Sequence, residues 1–150
     1  MDRRTFNTAL MSAAATSLVG SNARAAAGRT ILYQGVGDRL TPWDVDVDAA
    51  TLTPQASVTL PSNIQYVWPH PSRKYVYAST SDAASGNAPN PGTVHRLCAF
   101  RVGDGGALSL HGEPGVLPQR PIHHSVDGTG NFALTCYNNP SNVTVHRVNG

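Results

Sequence analysis

The sequence carries little charge, and its charges form no cluster. Only 13% of its 150 residues are charged, the formal net charge is +2, and Lys and Arg never form a block. Because phosphate binding needs several clustered basic side chains, this composition argues against nucleic-acid binding. Long apolar runs are also absent beyond residue 25, so we predict no membrane span in the mature chain.

The sequence also lacks the motifs of several enzyme classes. It contains no G-x-S-x-G elbow, no P-loop and no H-E-x-x-H motif, and we predict neither a metal nor another cofactor. Only two cysteines are present, Cys98 and Cys136, and their spacing matches no metal or redox motif. Each lies in an apolar run, which favours two buried thiols over a disulfide between them.

The first 25 residues have the pattern of an export signal. A twin arginine near the start is followed by a short, weakly apolar run, Thr8–Gly20, and by small residues suited to cleavage, Ala23–Ala25. The pattern resembles a bacterial twin-arginine (Tat) signal. We predict a signal peptide over 1–25, a mature domain over 26–150, and a periplasmic or secreted location. An amphipathic N-terminal helix is the alternative.

The remaining apolar runs are short and separated by turn-forming residues, including many of the 14 Gly and 11 Pro. Trp43–Val47 alternates apolar and acidic residues, as a half-buried strand does, and no window keeps a helical period. Asp44, Asp46 and Asp48 then share one side, which we interpret as a solvated strand face, with weak Ca²⁺ binding as the alternative. The sequence predicts an all-β fold with strands at Ile31–Tyr33, Trp43–Val47, Ala56–Leu60, Ile64–Trp68, Tyr75–Ala78, Val94–Val102, Ala107–Leu110, Ile122–Val126, Phe132–Tyr137 and Val143–Val148.

An internal repeat indicates the architecture. Ile64–Ala78 can be laid over Ile122–Cys136, and both segments contain a strand, a polar turn and a second strand. A further strand follows each copy, and the first copy carries an additional loop, Ser81–Gly92. Repeats of about 40–50 residues built from four short strands are typical of propeller blades. We predict two to three blades of a partial β-propeller, each a four-stranded antiparallel sheet.

The order of these motifs resembles the seven-bladed β-propeller lactonase family (6-phosphogluconolactonase-like). In the preceding blade, Trp43–Asp46 is similar to an outer strand, Leu52–Pro54 to a connection and His70–Ala78 to a turn with its second strand. The resemblance extends over Thr30–Gly150, although the usual A-N before the tyrosine is Thr135–Cys136 here. The family's run P-C-H-x-S-V-D-x-x-G-x-F-x-x-x-A-N-Y is matched by Pro121, His123, Ser125, Val126, Asp127, Gly130, Phe132 and Tyr137.

The resemblance implies hydrolysis of a sugar lactone by water attack on the ring ester. His123, at the P-x-H position, would lie at the channel end of an inner strand and could activate the water. Arg120 could hold a carboxylate or phosphate group. We take His123 and Arg120 as candidate catalytic residues, and Tyr137 and His124 as candidate substrate-binding residues. Because strand neighbours point to opposite faces, only one of the two histidines can face a given pocket.

Two other functions stay open: a non-catalytic periplasmic propeller that binds a ligand or protein partner, and an inactive truncated product. A propeller of this family needs about seven repeats, and the sequence holds little more than two. Unpaired strand edges promote association, so we expect either further C-terminal blades or an oligomer. We interpret the other histidines as structural: His70, His95, His111 and His146.

Overall fold

The computed structural model describes residues 29–83 and 90–149, which form strands joined by turns. These residues contain no α-helix, only a 3-10 turn at Asp104–Gly106, which confirms the all-β prediction. Nothing in these two segments is a helix long and apolar enough to cross a membrane, and the predicted signal peptide lies outside them. The strands are β1 Thr30–Val36, β2 Arg39–Asp46, β3 Thr51–Pro54, β4 Val58–Thr59, β5 Asn63–Pro69, β6 Tyr75–Ser81, β7 His95–Val102, β8 Leu108–Leu110, β9 Gly115–Val116, β10 His123–Val126, β11 Phe132–Asn138 and β12 Ser141–Arg147.

The strands form three antiparallel sheets in which chain neighbours lie side by side. Sheet A has the order β1-β2-β3 with β4 beside β2, sheet B the order β5-β6-β7-β8 with β9 beside β7, and sheet C the order β10-β11-β12. Consecutive sheets of this kind are propeller blades, so the predicted partial propeller is confirmed. Several details of the prediction are wrong. Sheets A, B and C have four, five and three strands rather than four each, and Trp43–Asp46 and His70–Ala78 belong to sheets A and B rather than to one blade. Trp43–Asp46 lies in the central strand β2, because β1 and β3 pair on either side of it, and Leu52–Pro54 belongs to strand β3 rather than to a connection.

Sheet B lies between the other two sheets, and a small apolar core fills each gap. Alternate residues of a strand point to opposite faces. Accordingly, Ala78 on β6 packs toward sheet A and its neighbour Tyr77 packs toward sheet C. The buried members of the first core are Leu40, Leu60, Ala78, Cys98 and Phe100, and those of the second are Tyr77, Val126 and Ala133.

The two cysteines lie in different sheets and are both free thiols. Cys98 is buried in the core between sheets A and B, whereas Cys136 lies on β11 of sheet C. Burial raises the pKa of Cys98 to about 11, with a small opposing effect of Arg96, so its thiol stays protonated at neutral pH. The free thiols agree with the sequence-based preference, but Cys136 is half-buried rather than buried.

The internal repeat is confirmed, but most of it is shifted by one residue from the sequence overlay. The turn after β5 closes with a hydrogen bond that His70 N donates to Tyr75 O (2.9 Å). The turn after β10 closes in the same way, from Asp127 N to Phe132 O (3.0 Å). Tyr75 therefore corresponds to Phe132, whereas the overlay placed it on Ala133. A shift of one residue exchanges the two faces of a strand.

A β-bulge in β5 causes this shift. Ile64 pairs with Thr80 on β6, but Tyr66, two residues later, pairs with Ser79, so Gln65 is an extra residue. Strand β10 pairs with β11 in unbroken register. The overlay is therefore correct at Ile64 and wrong after Gln65, because a comparison without gaps does not reveal one inserted residue.

Strands β5 and β10, the first strands of sheets B and C, pack against each other and run in the same direction. Gln65, near the start of β5, contacts Arg120, which precedes β10. His70, after the end of β5, contacts Gly130, after the end of β10. We call the end at which both strands begin the site end, and the opposite end the turn end.

Replacing Gly130 with alanine should destabilise the fold by about 2 kcal/mol. Gly130 has φ +78°, a left-handed conformation that costs other residues about 1–2 kcal/mol. A Cβ there would also overlap the imidazole of His70, whose Nε2 lies 3.0 Å from the Gly130 carbonyl oxygen. Urea unfolding of the natural protein and the variant measures the loss. Gly128→Ala is the control, because its Cβ would meet nothing within 4 Å. Equal losses in both variants would contradict this account.

The outward faces of sheets A and C carry exposed apolar side chains. Sheet B, by contrast, has a core on each of its faces. The exposed apolar side chains of sheets A and C have the composition of a surface onto which another sheet packs. Further blades or an oligomer to cover these faces remain an expectation. On the outward faces, the exposed residues are Leu32, Val36 and Leu52 on sheet A, and Phe132, Val143 and Val145 on sheet C; sheet B also exposes Leu110 and Val116, on its short strands β8 and β9.

Candidate functional site

Arg120 and His123 both lie at the site end, beside β5. Arg120 is in the segment that leads into β10, and His123 is the first residue of that strand. Both side chains are half-buried. They have the partial exposure that a residue needs to touch a ligand while being held by its surroundings.

The guanidinium of Arg120 is held by β5. Its Nε donates a hydrogen bond to Oε1 of Gln65 at 2.9 Å. A guanidinium is planar and always charged, and it presents parallel N–H groups that match a carboxylate or phosphate. The arrangement therefore places a cation of fixed orientation at the site end, where the sequence predicts a catalytic role for Arg120.

The imidazole of His123 lies against two aromatic side chains of β5. Its ring centroid is 4.2 Å from that of Tyr66, at an interplanar angle of 45°, and 6.0 Å from that of Trp68. The Tyr66 and Trp68 rings are themselves stacked, with centroids 6.2 Å apart. We call Tyr66, Trp68 and His123 the aromatic cluster. It combines a group that can accept a proton with faces on which a sugar ring can stack.

His124 points away from His123, as strand alternation requires. It has no exposed surface, and its ring meets Tyr66 edge-on with centroids 5.9 Å apart. Burial lowers its pKa to about 4, and His123 adds to the effect. The backbone of Tyr77 opposes the shift only weakly, and neither ring nitrogen has a partner in hydrogen-bond geometry within 29–83 and 90–149. His124 is therefore neutral at physiological pH, and its substrate-binding role stays a prediction.

Tyr137 is also buried. It lies on β11, and its hydroxyl oxygen is 2.9 Å from Oγ1 of Thr144 on β12. Burial raises the pKa of the Tyr137 phenol, so it stays protonated at neutral pH. The hydroxyl thus joins two strands of sheet C. The predicted substrate-binding role of Tyr137 is not tested by this geometry.

The other histidines make contacts that suit structural roles. His70 Nε2 meets the Gly130 carbonyl, and Nδ1 of the buried His95 is 2.9 Å from Ser81 Oγ. Burial lowers the pKa of His95. His146 Nε2 is 3.1 Å from Thr144 Oγ1. His111 lies against Tyr75 with ring centroids 5.0 Å apart.

The three acidic residues near β2 do not form a metal site in the described residues. Arg29 forms an ion pair with Asp44, whose pKa is lowered mainly by this hydrogen bond. Asp46 Oδ1 accepts a hydrogen bond from the Ala49 amide at 2.9 Å. Within 29–83 and 90–149 there is no group of three His, Cys, Asp or Glu residues that could hold a metal ion.

A cavity of about 840 Å³ lies between sheets A and B toward the turn end. Its lining combines aromatic rings with two cationic side chains, Arg29 and Arg73. Neither Arg120 nor His123 lines it, although Trp68 of the aromatic cluster does. The cavity and the site that the sequence predicts are therefore different places that share one aromatic wall.

Sequence reasoning missed three residues of the site, all on β5. The sequence pattern presents Tyr66 and Trp68 as apolar strand residues, and Gln65 as a polar residue between Ile64 and Tyr66. The signal that could have found them is the repeat itself. Once the bulge is allowed for, Tyr66 occupies in β5 the place that His123 occupies in β10. Two equivalent positions in neighbouring blades thus meet at the site end.

The sheet order defines a β-propeller, and the comparison with known proteins gives its family. A family model described as "Lactonase, 7-bladed beta-propeller" matches residues 18–150. The chain belongs to this family of lactonase propellers. No curated protein matches the sequence.

Solved structures support the same fold at low sequence identity. A candidate 6-phosphogluconolactonase from Bacteroides fragilis NCTC 9343 is similar with a TM-score of 0.63 at 15% identity, covering 78% of this chain and 31% of that one. One from Bacteroides uniformis ATCC 8492 gives 0.63 at 17% identity, covering 79% and 32%. A chain in the crystal structure of a mitotic checkpoint complex gives 0.58 at 16% identity, covering 80% and 34%. The chain spans about a third of the length of these structures.

Proposed function

We propose that the chain forms the N-terminal blades of a propeller that hydrolyses a sugar lactone. The observation that carries the proposal is that Arg120 and His123 each contact β5 at the same end, through Gln65 and Tyr66. An anion-binding group and a proton acceptor thereby share one rim of two neighbouring blades. Membership of the lactonase family supports the reaction class.

In the proposed reaction, water attacks the ring carbonyl and His123 accepts the proton that the water loses. The bond between the carbonyl carbon and the ring oxygen then breaks, and the ring oxygen leaves as a hydroxyl after taking this proton from His123. The product is the open hydroxy acid. Arg120 would bind an anionic substituent of the sugar, and the aromatic cluster would pack against its apolar face.

We further propose that the protein is exported, with the blades beyond this sequence, or an oligomer, covering the outward faces of sheets A and C. The twin-arginine pattern of residues 1–25 supports export. Because 6-phosphogluconolactone is a cytoplasmic metabolite, an exported enzyme would act on another sugar lactone of related shape. Intact mass and light scattering on exported material would test the cleavage and the oligomeric state.

A lactone panel tests the function. We expect the natural full-length protein to hydrolyse aldonolactones, and to prefer those with a phosphate or carboxylate. Proton release in a weakly buffered solution measures turnover above the spontaneous rate, and 6-phosphogluconolactone and glucono-1,5-lactone form the first pair of substrates. Rates equal to the spontaneous ones for every lactone would overturn the proposal.

The cavity between sheets A and B favours a second function, a non-catalytic propeller that binds a ligand. The cavity is large enough for a small molecule and carries arginine and aromatic side chains, yet it excludes His123. The same panel separates the two functions. Calorimetric binding of a sugar acid without turnover of its lactone would favour the binding protein.

A further inference from the structure

Gln65 stands out because it is the one extra residue in β5. Strand β5 has a register shift between Ile64 and Tyr66, whereas the equivalent strand β10 has none. A bulge leaves a residue outside the regular ladder and redirects its side chain, and bulges are frequent beside functional sites. The redirected side chain of Gln65 reaches out of sheet B toward the segment that precedes sheet C.

What Gln65 reaches is the guanidinium of Arg120. Its Oε1 accepts the Nε–H of Arg120 at 2.9 Å, and both side chains are half-buried. Rotation about the Cζ–Nε bond is restricted by resonance, so a hydrogen bond at Nε fixes the plane of the whole guanidinium. An arginine side chain carries about 2 kcal/mol of rotamer entropy, and the bond to Gln65 is one contact that reduces this entropy before a ligand binds.

We propose that Gln65 is a positioning residue that orients Arg120 and thereby makes the site selective for lactones with an anionic substituent. This inference rests on the proposed function. Gln65 acts through the plane of the guanidinium, since paired N–H groups bind a carboxylate or phosphate only in the correct orientation. The bulge thus serves substrate selection and links sheets B and C.

The first test compares an anionic with a neutral lactone. Gln65→Leu keeps the side-chain volume but removes the acceptor oxygen. We expect it to raise KM for 6-phosphogluconolactone about tenfold, with kcat within about twofold and with glucono-1,5-lactone unaffected. In an Arg120→Lys background, which lacks Nε–H, Gln65→Leu should add no more than about twofold. Equal effects on both lactones, or a full tenfold effect in the Arg120→Lys background, would overturn the proposal.

Gln55→Leu is the matched control. Gln55 also forms a hydrogen bond between sheets, from Nε2 to the Gly105 carbonyl at 2.7 Å. That bond links sheets A and B far from Arg120, so the variant should leave the ratio of KM values for the two lactones unchanged. A change in this ratio equal to that of Gln65→Leu would attribute the effect to loosened packing and count against positioning.

A measurement without substrate separates this inference from the function on which it rests. In the full-length protein labelled with ¹⁵N-arginine, the Nε–H of Arg120, assigned with Arg120→Lys, should exchange slowly with water. Gln65→Leu should speed this exchange by at least tenfold. Unchanged exchange would overturn the positioning role, whatever the lactone assay shows. Faster exchange with no lactone turnover in the natural protein would keep the positioning role and overturn the selectivity together with the proposed function.

Discussion

Replacing His123 with phenylalanine should lower kcat/KM for lactone hydrolysis by about 10²–10⁴-fold, the range expected when a general base is removed. Phenylalanine preserves an aromatic ring beside Tyr66, whose centroid is 4.2 Å from that of His123. It therefore keeps the packing and removes only the nitrogen that accepts a proton. KM should change little, because the proton transfer occurs in the transition state and not on binding.

The control for this substitution is His111→Phe. His111 also lies beside a tyrosine, Tyr75, with centroids 5.0 Å apart, but it follows β8 on sheet B, whereas Arg120 and His123 lie at the start of sheet C. Initial rates for the natural protein and both variants, at matched thermal stability, decide the question. If His123→Phe retains full turnover, His123 is not the base.

The second large effect is a loss of stability in acid that comes from His124. Burial lowers its pKa to about 4 in the folded protein, from 6.5 for an ordinary histidine. The unfolded chain therefore binds a proton over a pH range in which the folded chain does not. Stability from this group is complete above about pH 6.5, falls as the pH drops to about 4, and is lost below it. The difference between the two pKa values corresponds to about 3 kcal/mol in the free energy of unfolding.

Urea unfolding of the full-length protein between pH 7.5 and pH 4 measures how the free energy of unfolding depends on pH. His124→Leu should flatten the pH dependence by about 3 kcal/mol relative to the natural protein, because leucine cannot titrate. Thr135→Val is the control, since Thr135 pairs with His124 across β10 and β11 and is equally buried but does not titrate. The same acid loss in His124→Leu as in the natural protein would show that other groups cause it.

Much of the fold could be predicted from the sequence because strands have a local signature. Trp43–Val47 alternates with a period of two, and the turns at Pro71 and Gly128 separate paired strands, so the strand positions are confirmed almost throughout. The sequence does not predict a strand at Leu52–Pro54 because this segment is short and ends in proline. Its pairing with β2 depends on a neighbour that the segment itself does not reveal.

The site was less predictable, because it depends on one residue that breaks a regular pattern. His123 and Arg120 could be singled out by resemblance, but their partners Gln65 and Tyr66 lie more than fifty positions away. No local signal marks Gln65 as a bulge, since Ile64 and Tyr66 both belong to an ordinary apolar run. The bulge results from the way β5 pairs with β6, and this pairing exists only in the assembled sheet.

The separation of the two ends of β5 bears on how this protein can change over evolution. Gln65 and His70, which contact Arg120 and Gly130 respectively, are five residues apart, which is about 16 Å along a strand. Mutations in the tight turns can therefore alter stability while leaving the proposed site at the other end of β5 intact. Changes at exposed positions of that rim can in turn leave the His70–Gly130 contact at the turn end intact. Such modularity would let related proteins acquire new specificities on a shared scaffold, and it marks Pro118 and Gln119, which precede Arg120, as the first positions to randomise in a directed-evolution library.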